Sequence, residues 1–145
     1  AVTRITKSSA HIYYGTGSTL GYAIDGVEAP FLEFKPGNTY RFDQSDSTNS
    51  GHPLLFYYDP GKTTQFSTGV TTNGTPGSAG AYTQIVVSDT TPHILYYQCS
   101  VHGYMGSRIG VNSKTLQDTS FVDSTGTAIS FATNAFAIAQ AVALG

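Results

Sequence analysis

The sequence predicts an all-β sandwich, and three observations carry that expectation. Short apolar or alternating runs, each closed by turn residues, recur along most of the chain. The 145 residues include 16 glycines, ten tyrosines and eight phenylalanines, which suits pleated, half-buried surfaces joined by tight turns. Only 11% of residues are charged, so the surface is covered by Ser, Thr, Asn and Gln rather than by Lys and Glu, as on surfaces that face other protein.

Taken in order, the predicted strands are His11 to Tyr14, Leu20 to Ile24, Phe31 to Phe34, Thr39 to Phe42, Leu54 to Tyr58, Tyr82 to Val87, Ile94 to Gln98 and Ser107 to Val111. Pro36-Gly37-Asn38 predicts a tight hairpin between the third and fourth, because Pro fixes φ while Gly and Asn accept a positive one. The tyrosine pairs 13/14, 57/58 and 96/97 each put one ring inward and one outward, as alternation along a strand requires. Residues 59 to 80, rich in Gly, Thr, Ser, Asn and Pro, read as a surface excursion. No Lys follows the glycines of Gly74 to Gly80, so they form no phosphate loop. Asp43 and Asp46 read as turn caps, since neither Gly nor a terminal Glu follows at calcium-loop spacing.

A net charge of −2 with no basic face excludes nucleic acid as an expected partner. The lone Cys rules out an intrachain disulfide. Ala1 to Lys7 alternates polar and apolar residues without the pattern of an export leader, which fits an unexported product or one already trimmed. Residues 1 to 114 are expected to form the sandwich and 115 to 145 an extension, for Lys and Arg stop at Lys114. Ala128 to Gly145 has no charge, yet its polar and small residues disqualify it as a membrane span. It is expected to be an apolar arm packed on a neighbouring subunit; the competing reading is a last strand and helix of the same core.

The densest chemistry lies in Cys99-Ser100-Val101-His102-Gly103-Tyr104-Met105, which puts a thiolate, an imidazole and a thioether on one short loop. A soft thiolate with imidazoles and a weak axial thioether selects copper in a trigonal geometry, and the second imidazole is expected from an earlier strand end. His52 fits, lying between the turn-like Asn49-Ser50-Gly51 and the apolar run that starts at Pro53. The same residues also suit plain packing, with Cys and Met in a core and the histidines as satisfied polar groups. Ligation is favoured because the chain's one Cys and one Met share this window with a His between them. His11 and His93 have no partner at metal spacing and are expected at the surface or at strand ends.

His52, the aromatic strand leading to Cys99-x-x-His102-x-x-Met105, and the closing strand Ser107 to Val111 resemble the cupredoxins over roughly residues 31 to 111, with a loop spacing similar to that of amicyanins and pseudoazurins. The resemblance implies a Greek-key sandwich with His52, Cys99, His102 and Met105 as type 1 copper ligands. A narrower likeness covers Gly51-His52-Pro53-Leu54, Thr68 to Thr71, Gly74 to Tyr82 and Tyr96 to His102. These segments resemble cupredoxin-like parts of structural proteins of marine tailed phages, cyanophages especially. That family usually has Gly where this chain has Tyr104.

The phage likeness implies a virion structural protein, a capsid decoration or cement protein, assembled in the host cytoplasm. Its expected partners are the major capsid protein or further copies of itself, met through polar β surfaces and residues 115 to 145. The alternative is a soluble type 1 electron-transfer protein, periplasmic or secreted. An enzyme is not expected: no Ser-His-Asp pattern is present, Cys99 and His102 share a loop at ligand spacing, and a type 1 site lacks an open coordination position.

Overall fold

In the computed structural model, which describes residues 1–113, the chain is all-β; the expected arm at 115 to 145 lies outside the described residues. One sheet contains β1 (Val2–Thr6), β2 (Leu20–Ile24) and β3 (Val27–Glu28) in that order. A second is formed by β4 (Leu32–Phe34), β6 (Leu54–Tyr57), β7 (Gln65–Phe66), β10 (Ile94–Cys99) and β11 (Ser107–Val111), in the order β4-β11-β10-β6-β7. The third holds β5 (Thr39–Asp43), β8 (Val70–Asn73) and β9 (Tyr82–Val86), in the order β5-β9-β8. β4 and β11 run parallel, and the other pairs are antiparallel.

All three sheets line one core, an arrangement consistent with a β-sandwich. Val2 and Tyr22 come from the first sheet, Phe56, Leu95, Tyr97 and Ile109 from the second, and Phe42 and Ile85 from the third. Phe42 shows the layers meeting: its ring lies 5.5 Å from Phe56 and 6.2 Å from Tyr97, across the interior. Such offset and edge-on contacts between rings stabilise a core beyond the area they bury.

Seven of the eight expected strands form, with ends shifted by at most one residue. His11 to Tyr14 does not; it is a run of turns, with Tyr14 N–H donating to His11 O and the Lys7 ammonium donating to Tyr13 O and Thr16 O. These bonds satisfy several of the segment's backbone groups locally, within turns, instead of through a sheet partner. His11 is not at the surface but 3% exposed, whereas His93 sits in the open just before β10.

The turn at Pro36-Gly37-Asn38 exists, with Gly37 at φ +86° and Asn38 N–H donating to Lys35 O. It is not a hairpin. β4 pairs with β11 and β5 with β9, so the turn carries the chain from one sheet to another. Phe34 and Tyr40 stack at 4.0 Å on either side of it.

The excursion at 59 to 80 contains two short strands. Phe66 is buried and pairs with Phe56, which anchors β7, while β8 adds an edge to β9. Asp59 closes the connecting turn by accepting from Thr63 N–H and hydroxyl. Asp43 and Asp46 cap turns as expected, accepting from the N–H groups of Ser45 and Thr48. Asp46 starts the 3-10 turn Ser47–Asn49 that leads into His52.

Candidate metal centre

The register of β6 on β10 brings the first imidazole to the thiol. Cys99 pairs with Leu54 at the end of the ladder, and Ser100 N–H continues it by donating to Pro53 O at 2.8 Å. His52, two residues before Leu54, therefore lies across from Cys99 as the strand opens. His102 returns on the loop that follows.

Nδ1 of His52 lies 3.8 Å from Cys99 Sγ, and Nδ1 of His102 lies 3.7 Å from the same sulfur. The three donor atoms fall within 4.8 Å of one another, and the imidazole rings face each other at 4.8 Å. Cys99 and His52 are buried and His102 is half-buried. These three residues could hold a metal ion. Burial, then the neighbouring His102 and Arg4, push the His52 pKa below its ordinary value, which keeps a neutral imidazole with a lone pair to donate.

The two sulfur–nitrogen spacings agree with ligation, whereas the widest donor separation, 4.8 Å, must close to about 4.1 Å or less for both imidazoles to reach one ion. A thiolate sulfur about 2.3 Å and an imidazole nitrogen about 2.05 Å from one ion stand about 3.8 Å apart at a flat trigonal angle and about 3.6 Å apart at a tetrahedral one. The observed separations, 3.8 and 3.7 Å, fall within that range.

Met105, the fourth expected ligand, is fully buried in the same apolar cluster as Cys99. Its backbone carbonyl accepts from Tyr22 N–H at 2.7 Å and faces His11 Nε2 at 3.1 Å. Because Tyr13 N–H donates to His11 Nδ1, the ring carries its proton on Nε2 and donates it to Met105. Residues 11 to 18 thus strap the ligand loop from outside, helped by Ser18 N–H donating to Gly103 O.

Tyr104 adopts φ +63°, a conformation that favours Gly and costs other residues about 1 kcal/mol. A tyrosine at this position is therefore strained. What offsets it is packing: the Tyr104 ring meets Tyr13 edge-on at 5.2 Å and lies against Gly17 and Gly61.

Sequence reasoning misses the residues that hold His52. Gln44, 1% exposed, donates from Nε2 to His52 O and accepts Leu54 N–H on Oε1, so one buried amide clamps both sides of Pro53. The Tyr22 hydroxyl donates to the same carbonyl at 2.8 Å. Burial, and then contact with Cys99, hold the Tyr22 phenol pKa well above its ordinary range, so it is a permanent donor. Arg4 and Asn49 tie the preceding turn to β1, Arg4 donating to Thr48 O and Asn49 Nδ2 to Val2 O. A buried polar residue read as a strand or turn position carries no local signal of such a role.

Comparison with known proteins finds no matching family model, no matching curated protein and no matching solved structure. Among the described residues no helix is long and apolar enough to cross a membrane.

Proposed function

We propose that this protein is a structural component of a tailed-phage virion, a capsid decoration or cement protein, built on a cupredoxin-like sandwich that binds one copper ion. The observation that carries the metal half is the buried grouping of His52, Cys99 and His102 around a common point. One thiolate and two imidazoles make a soft, three-donor set, which favours copper, with Met105 as the weak axial ligand. In this reading copper is a clip: it ties the segment before β6 to the loop after β10 and adds its binding energy to the fold. The assembly half rests on the segments that resemble phage structural proteins and on the sparsely charged, polar surface.

The metal half is tested by an optical spectrum and metal analysis of the purified chain before and after adding Cu(II). An intense thiolate-to-copper band near about 600 nm, lost in Cys99→Ala, is the expected result. A folded chain without that band overturns the copper site. For the assembly half, the full chain is expected to enter particles stoichiometrically, and a chain ending at Lys114 to fold but stay out. Equal incorporation of the two overturns the assignment of residues 115 to 145 as the arm.

A second reading, a soluble single-electron carrier, is favoured by Val101. It is 61% exposed beside half-buried His102 and gives the metal end an apolar rim on which a redox partner would dock. Rapid, reversible bleaching of the band with copper retained supports the carrier.

A further inference from the structure

We infer that Tyr22 is a positioning residue of the metal centre, because from one place on β2 it holds the backbone carbonyls of two of the four candidate ligand residues. The inference rests on the metal-binding reading above. The Tyr22 backbone N–H donates to Met105 O at 2.7 Å and its hydroxyl donates to His52 O at 2.8 Å. The side chain is 0% exposed, so core packing leaves it no second position.

These contacts join two separate segments of the chain to one residue of the first sheet. His52 precedes β6 in one segment, Met105 follows β10 in another, and both carbonyls are held by a residue of the first sheet. Tyr22 is in turn the cross-strand partner of Arg4, which donates to Thr48 O in the turn just before His52. β1 and β2 therefore add a second constraint on the separation of the ligand segments, beside the register of β6 on β10. A partner that orients ligands in this way is worth about 10-fold to 100-fold in metal affinity.

The test uses the full chain with Co(II) as the probe, whose thiolate band reports ligation by Cys99. Tyr22→Phe removes one hydroxyl and keeps the ring. Tyr97→Phe is the matched control, since that phenol is also in the core but donates to Pro30 O and to none of the ligand residues. Tyr22→Phe is expected to weaken Co(II) binding by about 10-fold or more and to shift the thiolate band, while Tyr97→Phe binds as the native chain does. Unchanged affinity and band in Tyr22→Phe overturn the inference, and so does an equal loss in both variants, which would mark general loosening. A native chain that takes up no Co(II) or Cu(II) overturns the metal reading itself, a result separate from either of these. Should Tyr22→Phe not fold, para-fluorophenylalanine at Tyr22 fills the hydroxyl's volume without supplying a donor, and the same loss is required of it.

Discussion

Saturating copper is expected to raise the midpoint of thermal unfolding of the metal-free chain by about 10 °C, and Cys99→Ser to remove that rise. The size follows from linkage: a ligand at 100 times its Kd that binds the folded state alone stabilises it by about 2.7 kcal/mol. For a domain of this size each kcal/mol moves the midpoint by about 4 °C. The gain depends on a preformed site, which the unfolded chain lacks because His52 and Cys99 are brought together only by the pairing of β6 with β10. Cys99→Ser also puts a hydroxyl into a fully buried position, which destabilises the metal-free protein. The comparison is therefore made between metal-free and copper-loaded forms of each chain. Calorimetry that shows the same rise in Cys99→Ser would assign copper to some other place on the protein.

Gly106→Ala is expected to cost about 3 kcal/mol and to lower the midpoint by about 10 °C. A Cβ at Gly106 would stand 1.8 Å from the Tyr97 carbonyl oxygen and 2.6 Å from its ring. Neither can yield: Tyr97 is at the centre of the five-stranded sheet with its phenol donating to Pro30 O, and Gly106 N–H is tied to Gln98 Oε1. The strain must pass to the neighbouring Met105, so metal affinity is expected to fall together with stability. Gly110→Ala, four residues on in β11, is the control, where the nearest heavy atom to a new Cβ is Leu32 O at 4.0 Å. That variant is expected to stay within about 1 kcal/mol of the native chain. A native-like midpoint for Gly106→Ala in chemical or thermal unfolding would contradict the packing described here.

Much of the strand content is legible along the chain, because alternation and turn residues are local signals. Leu20–Ile24 and Ser107–Val111 form as their patterns predict. Asp25-Gly26, both at positive φ, makes the two-residue turn between β2 and β3, and an Asp-Gly pair between apolar residues is the local signal for it. Other features are not local. The turn after Phe34 looks like a hairpin because its residues specify a reversal of direction and say nothing of which strand each side will join. The run from His11 looks like a strand because its residues suit one, while the Lys7 ammonium and the buried imidazole that hold it in turns act through tertiary contacts.

By itself the sequence determined an all-β chain and the candidate donor types, Cys99, His102 and Met105 on one loop with His52 upstream, because residue chemistry and short spacings are written in order along the chain. Only the tertiary structure decided that His52, Cys99 and His102 meet, and that Tyr22 and Gln44 hold the first of them in place. The reason is physical: strand register sets which distant residues share a space, and register emerges from how the sheets pack rather than from any one segment.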